Sequence, residues 1–168
     1  MNKSFYVIIR SPLGCGKSTI SKKLAKDIGA EYFAVDRVLD EFNLTKDKED
    51  GYISQKSFFK ANEIIVERAE KFLRRGKPVI FDGNFYWKSA IEDLISRLDY
   101  ANLVFTLKAS VDTCIARDEE RGKTHGEMVA RVVHKKSTSF DYGIVIDTES
   151  KTPEKTLSEI EKVIRSSL

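Results

Sequence analysis

The sequence is short of the residues and stretches that mark several classes of protein. Only two cysteines, Cys15 and Cys114, occur among its 168 residues, too few for the spaced framework of a small secreted disulfide protein. We therefore expect both to be free thiols in a reducing compartment. No apolar run approaches the ~20 residues of a membrane span, and the first residues lack the apolar core of a signal peptide. These absences predict a soluble, cytoplasmic protein with no membrane partner.

Strong charge bias, internal repeats and low-complexity segments are missing as well. The net charge is +3 with acids and bases interspersed, which neither indicates nor excludes nucleic acid as a partner. With 41% hydrophobic residues, the chain can build a full core. No linker-like change in composition divides it, so residues 1–168 are expected to form one domain. The oligomeric state is not indicated.

What the sequence does contain is a phosphate-binding loop between a strand and a helix. Residues 10–20 read R-S-P-L-G-C-G-K-S-T-I, with an apolar strand pattern before them and a helical pattern after them. The glycines let backbone N–H groups approach phosphate oxygens, and the helix N-terminus adds a partial positive charge. The residues expected to bind nucleotide here are Leu13, Gly14, Cys15, Gly16, Lys17, Ser18 and Thr19.

Two residues of this loop have expected roles beyond binding. Lys17 can reach the β- and γ-phosphates of ATP, and the Ser18 hydroxyl can ligate Mg²⁺. The pattern G-x-x-x-x-G-K-[ST] has its first glycine replaced by Ser11, which weakens the match but removes no residue that contacts the reacting phosphate. The alternative is a glycine-containing turn with an exposed lysine. The strand–loop–helix context favours an ATP site.

Short apolar runs alternate with amphipathic segments along the chain. The runs are residues 5–9, 32–35, 79–81, 103–107 and 144–146, which suit a parallel sheet covered on both faces. Stripes at helical spacing occupy residues 58–72, 91–98 and 157–164, the last opened by Thr152 and Pro153. The pattern predicts an α/β fold of three layers with a five-stranded parallel sheet. Ligands of such a sheet bind at the carboxyl ends of its strands.

One polar segment, residues 43–55, lacks clear periodicity. It indicates a mobile loop on the ligand side or, as an equal alternative, a solvated insertion.

Asp36 follows the second strand. A helix rises about 1.5 Å per residue and a strand about 3.3 Å, so the chain leaves the loop and returns over a similar distance. Asp36 should therefore lie near the γ-phosphate, where a carboxylate can orient an acceptor hydroxyl and take its proton. The alternative is a helix N-cap for residues 37–42. Arg37, beside it, is a further candidate for contact with the acceptor.

Asp82 ends the third apolar run and precedes Gly83 and Asn84. An apolar strand ending in aspartate resembles the Walker B element, which holds Mg²⁺ directly or through water. The alternative is a turn aspartate before glycine. Asn84 is a candidate for contact with the acceptor.

Arg117 and Arg121 lie four residues apart, on one face of a predicted helix. The glycine-flanked stretch from Gly122 to Gly126 could let them close over phosphates, as part of a lid at about residues 118–130. Arg121 would neutralise charge in the transition state, and Arg117 would contact the nucleotide. The alternative is a salt-bridged surface helix.

Together these residues resemble the small P-loop kinases over nearly the whole chain. That group includes gluconate, shikimate and adenylylsulfate kinases, chloramphenicol phosphotransferase and the kinase domain of polynucleotide kinases. The run R-D-E-E-R-G-K, residues 117–123, looks most like the lid of the polynucleotide kinase domains. The ending from Gly143, followed by T-P-E-K, is also similar, which implies a position near adenine. Ala34 stands where shikimate kinases carry another carboxylate, so shikimate is not the expected substrate.

The resemblance implies a kinase that transfers the γ-phosphoryl group of ATP, with Mg²⁺, to a hydroxyl. Lys46, Lys48, Lys56 and Lys60 could meet a polynucleotide, but Asp47, Glu49 and Asp50 lie among them and would cancel much of the field. The sequence therefore favours a small acceptor, nucleoside-like or nucleotide-like compounds included, over a polynucleotide 5′-hydroxyl. A third hypothesis is an ATP- or GTP-binding switch that hydrolyses nucleotide slowly, for which an acceptor-side aspartate would be superfluous.

Overall fold

A five-stranded parallel sheet forms the centre of the computed structural model, which describes residues 4–122 and 126–168. The strands, in chain order, are β1 (Phe5–Arg10), β2 (Glu31–Ala34), β3 (Lys48–Glu49), β4 (Tyr52–Ile53), β5 (Val79–Gly83), β6 (Ala101–Lys108) and β7 (Ile144–Asp147). The main sheet has the order β2-β5-β1-β6-β7, and every neighbouring pair is parallel. The predicted fold class is confirmed.

Helices cover both faces of this sheet. They are α1 (Lys17–Ile28), α2 (Val35–Glu41), α3 (Gln55–Leu73), α4 (Lys88–Ser96), α5 (Val111–Glu120), α6 (Glu127–Ser137) and α7 (Pro153–Ser167). The Thr152 hydroxyl accepts a hydrogen bond from the Lys155 N–H, so the predicted N-cap of α7 is present.

Alternate side chains of β1 belong to different cores, because successive residues of a strand point to opposite faces. Tyr6 and Ile8 pack on one face and Val7 and Ile9 on the other, all fully buried. The first core includes Phe58 and Ile65 of α3 and Ile91 and Leu94 of α4. The second includes Leu24 of α1 and Ile160 of α7. The apolar run of β1 is therefore explained by burial on both sides, which fixes the strand beneath the loop that follows it.

Two local predictions differ from the structure near β2. The strand ends at Ala34, and Val35 already begins α2, so Asp36 lies in the first helical turn. The N-cap is Ala34, which makes no side-chain capping bond, so the alternative role of Asp36 as an N-cap is wrong. A carboxylate in the first turn is still favoured by the helix dipole.

The segment 43–55 is ordered by specific contacts. It forms a 3₁₀ turn at Leu44–Lys46 and the antiparallel pair β3–β4. The Tyr86 hydroxyl accepts a hydrogen bond from the Ile53 N–H at 2.9 Å, and the Trp87 indole donates to the Ile53 carbonyl at 2.7 Å. The expectation of a mobile loop therefore fails, because these long-range bonds have no trace in the segment's own pattern.

Cys15 and Cys114 form a disulfide, so the expectation of two free thiols is wrong. Their Cα atoms lie 4.7 Å apart although 99 positions separate them in the chain. This distance is within the range that a disulfide spans. No spacing in the sequence indicates this pair, because the contact depends on α5 packing against the phosphate loop.

Within the described part of the chain, no helix combines the length and apolar character needed to cross a membrane.

Candidate functional site: a phosphate loop between two carboxylates

The loop between β1 and α1 has the shape expected for anion binding. Gly14 and Gly16 adopt φ of 79° and 87°, a left-handed conformation that residues with a Cβ rarely adopt. Gly16 is the N-cap of α1 and provides no capping side chain, so the first N–H groups of the helix keep their donors for a ligand. A Cβ on Gly14 would lie 2.3 Å from the Cys114 carbonyl oxygen, so only glycine fits against α5 there.

Lys17, the first residue of α1, lies between two carboxylates. Its ammonium is 3.6 Å from an Asp36 oxygen and 3.4 Å from an Asp82 oxygen. Burial lowers the pKa of Lys17, but the two carboxylates outweigh that effect and hold the pKa above its ordinary value. Lys17 is therefore a permanent cation at neutral pH. The structure brings together the loop, α2 and β5, which the sequence placed at one edge of the sheet.

Asp82 is almost fully buried, at 2% exposed, near the end of β5. The Tyr32 hydroxyl donates a hydrogen bond to one of its oxygens at 2.5 Å and also contacts Ser18. The other oxygen, Oδ1, faces Lys17 and accepts no hydrogen bond from the described residues. A buried carboxylate oxygen without a hydrogen bond, on a side chain that Tyr32 links to the Ser18 hydroxyl, fits the ligand chemistry of Mg²⁺.

Mg²⁺ would not find a complete protein cage here. In residues 4–122 and 126–168, no group of three or more His, Cys, Asp or Glu side chains could hold a metal ion. Mg²⁺ usually binds one or two protein ligands and completes its coordination with phosphate oxygens and water, so a full set of protein ligands is not required. Ser18 and Asp82 are the protein groups that fit.

Asp36 is the more accessible carboxylate, with 36% of its side chain exposed. Its surroundings raise the pKa of the carboxyl above the ordinary value, chiefly through loss of water. Lys17 and the Asn84 N–H lower this pKa, whereas the nearby Asp82 charge raises it. A carboxyl with a raised pKa is a stronger base, which suits a group that must accept a proton.

Asn84 follows β5 and lines the same cavity as Asp36. Its side-chain oxygen is buried and accepts no hydrogen bond from the described residues. The next residue, Phe85, has a φ of 38° and is fully buried, a strained backbone for a bulky side chain. Such strain persists only where packing enforces it, and it fixes the turn that carries Asn84.

The two predicted lid arginines contact different parts of the site. Arg121 lies at the C-terminus of α5 and donates a hydrogen bond to the Gly14 carbonyl at 2.9 Å. Arg117 donates to the Thr148 hydroxyl at 3.0 Å and to the Thr148 carbonyl at 2.6 Å, just after β7. The predicted lid, residues 118–130, spans the end of α5 and the start of α6, and residues 123–125 fall outside the described part of the chain.

Two cavities of about 350 Å³ each meet at the phosphate loop. The first lies between the loop, α5 and the turn after β7, and its lining includes Gly16, Thr19, Arg117, Thr148 and Lys151. The second lies on the acceptor side, and its lining includes Leu13, Lys17, Ser18, Asp36 and Asn84. Cys15 and Arg121 border both. Arg37 is exposed and lines neither cavity, although its charge acts on the Tyr32 hydroxyl.

Several residues that shape the site were not predicted from the sequence. The sequence indicates only a strand residue at Tyr32, yet its hydroxyl donates a hydrogen bond to Asp82. Arg10 is fully buried at the end of β1 and donates to the carbonyls of Ser137, the last residue of α6, and of Phe140, which follows α6. Burial lowers the pKa of Arg10 to about 10, against the opposing charge of Asp141, so Arg10 stays charged at neutral pH. The position of Arg10, a charged residue at the end of an apolar strand, is the feature of the sequence that could have indicated this role.

The part of the chain that contains this geometry matches a known family. Residues 7–141 match the AAA_33 family, described as an AAA domain. The chain belongs to this family. The matched stretch holds the phosphate loop, both carboxylates and both lid arginines, whereas Thr148 lies beyond it. No curated protein gives a significant match to the sequence.

Solved structures of several kinases share the fold. A gluconokinase from Sinorhizobium meliloti 1021 has a TM-score of 0.72 at 14% identity, with 100% of both chains covered. A sugar kinase from Janibacter sp. HTCC2649 has a TM-score of 0.76 at 14% identity, covering 98% of this chain and 96% of that one. A shikimate kinase from Acinetobacter baumannii, solved with shikimate, has a TM-score of 0.61 at 16% identity, covering 98% and 96%. The chain has the fold of the small P-loop kinases, as predicted.

Proposed function

We propose that this protein is an ATP-dependent kinase that transfers the γ-phosphoryl group to a hydroxyl of a small molecule, within one domain that carries a lid at about residues 118–130. The observation that carries the proposal is the position of Lys17 between Asp36 and Asp82. Asp36 is partly exposed on the acceptor side, and Asp82 is buried and bonded by the Tyr32 hydroxyl, which also contacts Ser18. A phosphate-binding cation with a base on one side and a metal ligand on the other is what phosphoryl transfer to a hydroxyl requires.

In the proposed reaction the loop N–H groups and Lys17 hold the β- and γ-phosphates, and the cavity at Arg117 and Thr148 takes the base of ATP. Ser18 and Asp82 would hold Mg²⁺, which would supply positive charge to neutralise the phosphates. Asp36 orients the acceptor hydroxyl and takes its proton. Arg121 leaves the Gly14 carbonyl and neutralises charge on the transferring group.

The aromatic residues near the acceptor side support a small acceptor. Tyr52 and Tyr86 pack on each other at 5.6 Å between ring centres, and the Lys136 ammonium lies 3.7 Å from the centre of the Trp87 ring. These rings are therefore engaged with protein partners instead of forming an open row for stacked bases. This contact supports a small hydroxyl compound, nucleoside-like acceptors included, over a polynucleotide end.

A nucleotide-dependent switch would not need Asp36. A switch needs a residue that positions water and an element that senses the γ-phosphate. Here the carboxylate nearest the open cavity has a raised pKa and forms an ion pair with Lys17, which suits proton acceptance from a bound hydroxyl.

The proposal is tested by ADP formation with Mg²⁺ and ATP, measured with and without a pool of nucleosides, sugars and 5′-hydroxyl oligonucleotides. We expect turnover to rise strongly with one small-molecule fraction. A slow rate that no fraction stimulates would favour the switch, and stimulation by oligonucleotides alone would favour the polynucleotide kinase. A cytoplasmic location, which we also propose, is tested by fractionation of cells that produce the protein.

A further inference from the structure

The two cysteines join the phosphate loop to the helix that carries both lid arginines. Cys15 lies between the two loop glycines and is 3% exposed, and Cys114 lies in α5 and is fully buried. They pack together with Ala109 in a small apolar cluster. The chain contains two cysteines in total, so no other pairing within it competes.

The disulfide acts at a place where the loop and α5 already touch. The position of a Cβ on Gly14 is 2.3 Å from the Cys114 carbonyl oxygen, so the two backbones are in direct contact. Arg117 and Arg121 follow Cys114 by about one and two helical turns and extend from the same side of α5. A covalent bond at Cys114 therefore fixes the base of the helix that presents these arginines.

We propose that Cys15 and Cys114 are a reversible redox site that switches the kinase off when oxidised; this inference rests on the proposed function. The oxidised pair holds α5 against the loop and keeps Arg121 at the Gly14 carbonyl. The reduced pair lets α5 move, so that Arg121 can reach the transferring phosphoryl group. Reversible disulfides are also the kind that intracellular proteins use.

The oxidant in this scheme is a low-molecular-weight disulfide such as glutathione disulfide. The Cys15 thiolate attacks one of its sulfurs, forms a mixed disulfide and releases one glutathione thiolate. The deprotonated Cys114 then attacks the Cys15 sulfur and releases the second glutathione thiolate. Two electrons pass from the cysteines to the glutathione sulfurs, and the cysteine protons end on the two glutathione thiols.

Cys15, although only 3% exposed, is the residue of the pair that lies next to the cavities from which a reagent would approach. It borders both cavities at the phosphate loop, whereas Cys114 borders neither. A bound nucleotide would fill these cavities and cover the sulfur. Nucleotide should therefore slow thiol exchange, which links the redox state to the site without reference to activity.

The test compares the full chain after treatment with dithiothreitol and after treatment with glutathione disulfide. Alkylation of the denatured protein, read by mass, should find two free thiols in the first sample and none in the second. The two samples should bind ATP with affinities that agree within about threefold, as measured by calorimetry. The acceptor-stimulated turnover of the oxidised sample should be lower by about tenfold or more, since displacement of a catalytic group by about 1 Å can cost 10²-fold. Cys114→Ser cannot close the disulfide, so it should turn over like the reduced protein after dithiothreitol, and after glutathione disulfide its mass should show one glutathione held on Cys15.

Equal turnover of the oxidised and reduced protein, or two free thiols after glutathione disulfide, would overturn the proposal. If Cys114→Ser does not fold, the comparison of the oxidised and reduced forms of the unmodified chain still decides the matter. Reduction of the disulfide by dithiothreitol should slow by at least about tenfold with a non-hydrolysable ATP analogue at one hundred times its Kd. If the reduced protein binds ATP but transfers no phosphoryl group, the proposed function fails. In that case the redox site is judged by the ATP analogue alone, and it is overturned if the analogue does not slow reduction of the disulfide.

Discussion

At the scale of single residues, the Lys17 ammonium is the charge around which the candidate site is arranged. It neutralises Asp36 and Asp82, which would otherwise repel each other, and the site loses that balance without it. The same ammonium is the group that can meet ATP phosphates. Neutralising the carboxylates and binding phosphate are therefore linked, because both depend on the same Lys17 ammonium.

Lys17→Ala should abolish acceptor-stimulated turnover, with a loss of about 10³-fold or more, since one donor to the developing charge is typically worth that much. The control is Lys23→Ala on the same helix, an exposed lysine paired with Glu154 at 3.1 Å. That variant should keep normal turnover. Steady-state kinetics and thermal unfolding of both variants make the comparison. A Lys17→Ala protein that is folded and turns over normally would remove Lys17 from the site.

The pH dependence of transfer should report the raised pKa of Asp36. Burial is the largest cause of that shift, and the carboxylate must be deprotonated to accept a proton. The rate should therefore fall on acidification at a pH above the ordinary aspartate value of about 3.9, and rise to a plateau as pH increases. The kcat of the wild-type protein and of Asp36→Asn across acidic pH measures this. If the acidic fall in rate is unchanged in Asp36→Asn, that fall belongs to another titrating group.

The residues that the sequence predicted are those whose position follows from local order. Asp36 and Asp82 were found because each comes after an apolar run, at the edge where parallel strands end. Tyr32 was not found, because an aromatic residue in a strand pattern gives no sign that its hydroxyl bonds a carboxylate on a neighbouring strand. The disulfide was missed for a similar reason, since proximity over 99 positions depends on packing.

At the scale of elements, the contact between the phosphate loop and α5 holds the site together. Arg121 bonds the loop, and Arg117 bonds the turn after β7. The sequence predicted both arginines on one helix but not what they contact. It also did not predict β3 and β4, since their order depends on bonds from Tyr86 and Trp87 to Ile53.

Gly14→Ala tests this contact against a glycine of similar backbone. Gly14 and Gly76 have φ of 79° and 82°, but a Cβ on Gly76 meets nothing within 4 Å. Gly76→Ala should destabilise the fold by about 1–2 kcal/mol from backbone strain alone. Gly14→Ala should cost more and should also weaken ATP binding, because its Cβ would collide with the Cys114 carbonyl. Urea unfolding and ATP calorimetry of the two variants, in the same redox state, measure these effects. Equal effects in the two variants would mean that the contact between Gly14 and Cys114 is unimportant.

At the scale of the whole molecule, the strand order explains why distant segments converge. β1 lies between β5 and β6, so the loop after β1 has Asp82 on one side and the start of α5 on the other. The sequence predicted the sheet and its ligand-binding edge from the alternation of runs and helices. It could not identify the acceptor, because contacts to a small molecule leave no periodic pattern.

Binding to a 5′-hydroxyl oligonucleotide should be weak and should depend little on salt. A strand-binding surface needs several uncompensated cations, and each neutralised phosphate of a single strand adds about 0.7 to the slope of log K against log salt. Here acidic residues lie among the lysines of residues 46–60, and Asp47 and Glu49 bond Ser54 and Gln55 within that segment. Fluorescence anisotropy at several salt concentrations measures the slope. Tight binding with a steep slope would favour the polynucleotide kinase.

The fate of the γ-phosphoryl group tests the central proposal most directly. ATP labelled at this position is incubated with the protein, Mg²⁺ and the small-molecule pool, and the products are separated. We predict that the label appears on a hydroxyl compound, that Asp36→Asn lowers this transfer by about 10²-fold or more while ATP still binds, and that the exposed Asp40→Asn on the same helix does not. Label found only as inorganic phosphate, at a rate unchanged by Asp36→Asn and by the pool, would contradict the kinase and the role of Asp36 together.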